Sequence, residues 1–179
     1  METTEDRFGE LQARREAALA QGGPEGVAKQ HARGKLTARE RVDRLLDPGS
    51  FCEMAVLAGK ARYDEHGQFK SFTPSNAVIG TGELTGRRIV VSADDFTIRG
   101  GSSESTVSEK WIYAERYAHQ LRMPLVRLGD TAGGSVRLLE QQQATKIPGY
   151  PTWPLVSLLG QSPVVGVALG ACAALGGGK

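Results

Sequence analysis

Residues 5–21 carry apolar side chains at Phe8, Leu11, Ala18 and Leu19, a helical spacing with most charges on the opposite side, and predict an amphipathic helix ended by Gly22-Gly23-Pro24. The basic stretch 29–35, KQHARGK, reads as a solvated connector, with contact to a phosphate as the alternative. Thr37-Ala38-Arg39-Glu40 then has the spacing of a capping box, followed by Val42, Leu45 and Leu46 on one face and a stop at Pro48-Gly49. This predicts a short docked helix. From Phe51 the pattern changes to strands over 51–59, 76–84 and 87–95, with Thr85-Gly86 as a turn and the polar stretch 62–75 as an exposed loop.

A helical stripe returns over 105–121 at Val107, Trp111, Ile112, Ala114, Ala118 and Leu121. A strand over 124–128, the glycine turn 129–134 and a helix over about 135–146 come next. Pro148, Pro151 and Pro154 precede a further helix start, and 163–169 is a Val-rich run expected to be a strand buried on both faces. Strand, glycine turn and helix alternate, which predicts an α/β protein with a mixed, mainly parallel sheet.

Glycines cluster after these strands, at Gly100-Gly101, Gly133-Gly134 and Gly176 to Gly178. The 23 glycines in 179 residues are nearly twice the usual share of about 7%. After the last strand a run of small residues, Gly170 to Gly178, leads into what reads as the opening turn of a helix. Small residues there let main-chain N–H groups approach a ligand oxygen, as in an oxyanion hole, and they equally suit tight helix-on-sheet packing. A phosphate loop ending in Gly178-Lys179 fails because Ala173 stands where its first glycine belongs. Asp94-Asp95, after a strand, reads as a turn cap, with acid/base use as the alternative.

Net charge is +2, with both signs interleaved, which gives no argument for nucleic acid. No apolar run reaches the roughly 20 residues of a membrane span, and the N-terminus lacks a signal-peptide pattern, so a cytoplasmic protein is expected. Cys52 and Cys172, without a CxxC motif and beside only three histidines, imply reduced structural thiols and no metal site. No Ser/His/Asp or Cys/His set stands out. Because Lys179 falls inside an opening helical turn, the chain is expected to be a fragment.

Four segments resemble the carboxyltransferase (beta) subunits of biotin-dependent acyl-CoA carboxylases. They are 34–41 (GKLTARER) with 45–51 (LLDPGSF), 95–102 (DFTIRGGS), 129–134 (GDTAGG) and 170–176 (GACAALG). The resemblance implies a crotonase-like ββα superhelix, with a helical segment at 1–50 and an incomplete N-terminal carboxyltransferase domain at 51–179. It implies transfer of CO2 from carboxybiotin to an acyl-CoA, whose thioester carbonyl is held by backbone amides among Ala174, Leu175 and Gly176. The family's last segment commonly has proline where Ala171 stands and glycine where Ala174 stands, so the pair of amides is fixed only to within one residue.

Candidates for contact with acyl-CoA are Gly100, Gly101, Gly133 and Gly134, from their place after strand ends, and Arg99, from its location alone. The same resemblance implies biotin on a carrier partner, a biotin carboxylase partner, a homo-oligomer and a fragment inactive by itself. A biotin-dependent acyl-CoA decarboxylase, a crotonase-type hydratase or isomerase, and a non-catalytic assembly piece are the alternatives.

Overall fold

The computed structural model describes residues 4–102, 107–136, 140 and 154–173. Helices α1 (Thr4–Leu19), α2 (Gly23–Ala32) and α3 (Ala38–Leu45) come first. Of the stripe expected on α1, Ala18 is buried whereas Phe8 is 70% exposed. Helix α2 occupies ground read as a connector. Pro24 lies in its first turn, where a missing N–H breaks no helical bond, so the signal that ends α1 also starts α2. In the basic stretch Gln30 is buried and Lys35 reaches a buried carboxylate, while Lys29 and residues 31–34 are exposed, so the stretch is solvated except at these two docked positions.

Helix α3 has the expected capping box. The Glu40 N–H donates to Thr37 Oγ1 at 3.4 Å, and the Thr37 N–H donates to Glu40 Oε2 at 2.7 Å. His31 also binds the Glu40 carboxylate, at 2.9 Å, and these contacts, the His31 hydrogen bond first, lower its pKa.

The main sheet runs β1 (Cys52–Met54), β4 (Ala77–Leu84), β5 (Arg87–Asp94), β6 (Leu125–Thr131), β7 (Val164–Cys172). The first three are antiparallel; β5, β6 and β7 are parallel. Thr85 and Gly86 turn the β4–β5 hairpin at φ +51° and +73°, with both N–H groups donating to the Asp47 carboxylate. Strand β1 is only three residues long. The stretch expected as an exposed loop forms a second, separate hairpin, β2 (Gly59–Tyr63) and β3 (Phe69–Pro74), turned by Asp64 to Gly67.

The period-2 pattern of the strands divides the core into two layers. On one face Val78, Ile89, Val91, Ala93, Val126 and Leu128 pack with Ala38, Val42 and Leu46 at α3. On the other, Ile79, Val90 and Leu125 pack against Ala114 and Ala118 of α4 (Ser108–Leu121) and Leu158 of α5 (Pro154–Leu158).

The helix start expected after the run of small residues lies outside the described residues, and strand β7 runs on through Cys172, beyond the expected 163–169. Contrary to expectation, the strand is not buried on both faces, since Val165, Val167 and Leu169 are 49%, 36% and 37% exposed. Among the described residues only β6 pairs with it, at the edge of the sheet. The helix expected over 135–146 lies outside the described residues apart from Ser135, Val136 and Glu140.

Candidate active site

Parallel strands bring β5, β6 and β7 to an end on the same side of the sheet, with Gly100-Gly101, Gly133-Gly134 and Ala173 in the segments that follow them. After β5, Asp95 is buried and caps its own turn: one carboxylate oxygen accepts from the Thr97 N–H at 2.9 Å and the Thr97 hydroxyl at 2.6 Å. The turn-cap reading of Asp95 therefore holds. Burial raises its carboxyl above the ordinary value, offset by the Thr97 bonds. Then Arg99, Gly100 and Gly101 take φ of +52°, +65° and +65°, three successive left-handed residues. Glycine adopts this readily; Arg99 does so at a steric cost.

Thr131 at the end of β6 ties the three exits together. Its hydroxyl donates to the Gly101 carbonyl at 2.7 Å and accepts from the Gly133 N–H at 3.0 Å, while its carbonyl accepts from the Ala173 N–H at 3.1 Å. The Ala132 N–H donates to the Gly100 carbonyl at 2.9 Å. A β-carbon on Gly101 would lie 2.8 Å from the Asp130 carbonyl oxygen, and one on Gly133 would lie 2.7 Å from that of Ala173. Both positions demand glycine.

Gly100, Gly101, Gly133 and Ala173 thus meet at one edge, which brings together two of the three clusters that the shared-ligand expectation needs. Gly134 is exposed, with nothing close to where a side chain would begin. Ala174, Leu175 and Gly176 lie outside the described residues; they come directly after Ala173.

Beside this edge a cleft of about 560 Å³ opens between α2, the end of β3 and the turn at 96–100. Lys29, Arg33 and Arg99 line it together with Phe72 and Phe96. The Arg33 guanidinium and the Lys35 ammonium lie 5.5 and 5.6 Å from the Phe96 ring centroid.

Sequence reasoning missed the charged centre behind the edge. Asp130 is fully buried; it accepts from Arg41 Nη2 at 2.6 Å and Gln30 Nε2 at 3.2 Å, and Lys35 Nζ lies 3.5 Å from its other oxygen. The available signal was an aspartate at the end of an apolar strand together with the basic residues of 34–41, two of the four segments that carried the resemblance. A second buried polar group, Lys110 on α4, has its pKa lowered by burial to about 8, with Glu53 and Asp95 opposing that shift. Both cysteines are free. Among the described residues no three His, Cys, Asp or Glu side chains gather as metal ligands, and no helix is long and apolar enough to cross a membrane.

Strand ends of a parallel sheet that present uncovered main chain beside a cationic cleft make an architecture suited to a ligand met by backbone. The carboxyl transferase domain family matches residues 29–177, and the chain belongs to that family. It is 40% identical, over 75% of its length, to the carboxyltransferase subunit of propionyl-CoA carboxylase from Haloferax mediterranei, and covers 26% of that protein. It is 32% identical, over 97% of its length, to the methylmalonyl-CoA decarboxylase subunit alpha of Veillonella parvula, and covers 34% of it. Among solved structures, transcarboxylase 12S with methylmalonyl-coenzyme A bound superimposes with a TM-score of 0.61 at 36% identity, over 76% of this chain and 27% of that one. The fold is the crotonase-like α/β fold of these carboxyltransferases. The chain spans about a third or less of the length of these relatives.

Proposed function

We propose that the protein carrying this chain transfers a carboxyl group between biotin and the α carbon of an acyl-CoA, with the thioester carbonyl held by backbone N–H groups of Leu175 and Gly176, or one residue earlier from Ala174. The observation that carries this reading is the meeting of Gly100, Gly101, Gly133 and Ala173 at one sheet edge in a member of the carboxyl transferase domain family. Removing the α proton puts negative charge on the thioester oxygen, and fixed amide dipoles stabilise that charge more than the ground-state carbonyl. Carboxylated biotin, brought by a partner, supplies the CO2 and the base. The share of this chain is to bind, orient and stabilise.

Arg33 and Arg99 give the adjoining cleft a cationic wall that suits the phosphates of CoA, Lys29 being paired with Glu25 in the same lining, and Gly100 joins the cleft to the glycine edge. In this reading 1–50 is a helical segment and 51–179 belongs to an N-terminal carboxyltransferase domain. The protein works in the cytoplasm with a biotin carboxylase and a biotin carboxyl carrier. Transcarboxylase 12S assembles as a hexamer, which supports a homo-oligomer here.

The test is Gly176→Val in the full polypeptide assembled with its biotin-bearing partner. We expect kcat to fall by about 100- to 1000-fold, the usual effect of losing one oxyanion donor, while CoA affinity is kept. Turnover within a few-fold of wild type in a folded variant would make this loop packing only. Similarity to a methylmalonyl-CoA decarboxylase subunit favours a second reading in which the same site runs in reverse. Comparing bicarbonate incorporation with CO2 release separates the two.

A further inference from the structure

We infer that Asp130 is a positioning residue for the candidate site: it shapes the end of β7, and Gln30, Lys35 and Arg41 hold it there. The inference rests on the reading of 174–176 given above, because it concerns what aims that segment.

Burial alone makes the carboxylate costly, and the cluster is not accounted for by stability. Replacing a buried ion pair by well-packed apolar side chains is often neutral or stabilising. What distinguishes Asp130 is what its carboxylate faces. A β-carbon on Gly170 would fall 2.0 Å from Asp130 Oδ1 and 2.6 Å from Lys35 Nζ, so the β7 backbone lies directly on the ion pair. At this point the parallel register breaks. Gly129 pairs with Ala168 but Thr131 pairs with Cys172, so two steps along β6 are matched by four along β7.

Strand β7 therefore bulges by two residues opposite Asp130, and Gly170 stands in the bulge. Bulges bend a strand and redirect the backbone beyond them. Here the chain leaving the bulge is Cys172-Ala173, bonded to the Thr131 carbonyl and leading into Ala174. The backbone of Asp130 and Thr131 also buttresses Gly101. One carboxylate, tied to α2, to the α2–α3 connection and to α3, thus fixes the exit of β7 relative to those of β6 and β5.

The experiment uses the full polypeptide with its partner and three readouts: amide hydrogen exchange at Ala171 to Ala173, the split between kcat and KM, and the carbonyl stretching band of a bound acyl-CoA. Asp130→Asn keeps the shape and removes the charge. We expect faster exchange at those three amides and a kcat lower by about 100-fold, the scale of a displacement of about 1 Å. The KM for acyl-CoA should stay near wild type, and the carbonyl band should shift back toward its solution frequency.

Lys35→Gln disturbs the carboxylate but leaves the Arg41 pair, so it decides the matter if Asp130→Asn does not fold. Its exchange and kcat should move in the same direction by less. Either folded variant with wild-type exchange and wild-type kcat overturns the inference. A wild-type protein whose bound thioester shows no carbonyl shift overturns instead the oxyanion reading of 174–176, and exchange at 171–173 still judges Asp130.

Discussion

Gly22 lies so close to Thr97 that a β-carbon on it would stand 2.1 Å from the Thr97 carbonyl oxygen, and its N–H donates to the Thr97 hydroxyl at 2.9 Å. The joint between α1 and α2 is thereby fastened to the turn that comes after β5 and walls the cleft. Gly22→Ala should force the two apart, lowering stability by about 1–3 kcal/mol in denaturant unfolding, the usual range for overpacking. Because the cleft is built on this contact, affinity for CoA should also fall. An alanine variant with unchanged unfolding and binding would mean that the joint gives way freely.

Arg41→Met leaves the Asp130 carboxylate buried with Gln30 and a half-exposed Lys35, and should cost about 3–5 kcal/mol, the range for breaking a buried pair. Arg41→Met combined with Asp130→Leu should be more stable than Arg41→Met alone, because the charge left, on Lys35, is partly exposed while the fully buried one is gone. Chemical denaturation of the two variants measures this directly. If the double variant were the less stable, charge burial would not be the controlling term.

Lys110 supplies a stability effect on the alkaline side. Its folded pKa, about 8, lies below the ordinary 10.5, so between these values the unfolded chain binds more protons than the folded one. Stability contributed at this position should therefore rise as pH climbs from 8 toward 10.5. Relative to wild type, Lys110→Met should be at its most favourable below pH 8 and lose that advantage through the window. Thermal melts of both proteins across it provide the check; parallel curves would rule out Lys110 as the source.

Glu40 acts on the acid side. Its pKa is held below the ordinary 4.5 by the hydrogen bond from His31 and then by the Thr37 N–H. The stabilisation from its charge is therefore complete above pH 4.5 and disappears as pH falls through the lower folded value. Melting curves of wild type and Glu40→Gln should differ at neutral pH and converge in acid. Thr37→Ala, which removes the other half of the box, should cost about 1 kcal/mol.

Elements written in strong periodicity were legible. The β4–β5 hairpin and its Thr85-Gly86 turn, α3 with its cap, α4, β6 and the parallel partnership of β6 with β7 all arise from local pattern. Helix α2 was hidden because the only residue it fully buries is polar, Gln30, and because Gly23-Pro24 signals a stop and a start equally. The β2–β3 hairpin was hidden because it covers little apolar surface, leaving no clean alternation to read. The burial expected for β7 came from its composition, whereas exposure is set by what lies across the strand. At the candidate site the convergence of glycines could be argued beforehand, since parallel strands end on one side. The Asp130 cluster could not, because it depends on which distant charges the finished sheet brings together.

Arg41 and Asp130 are 89 residues apart, and during synthesis this separation becomes a delay. At about 5–20 residues per second, roughly 4–18 s pass between the two residues leaving the ribosome's catalytic centre. In that interval Val42 and Leu46 can already settle on the hairpin of β4 and β5, which needs nothing after residue 94. Arg41 meanwhile stays hydrated, and the parallel half of the sheet, with its high contact order, forms later. The order of synthesis thus makes the cation of this buried pair well before the carboxylate that closes it.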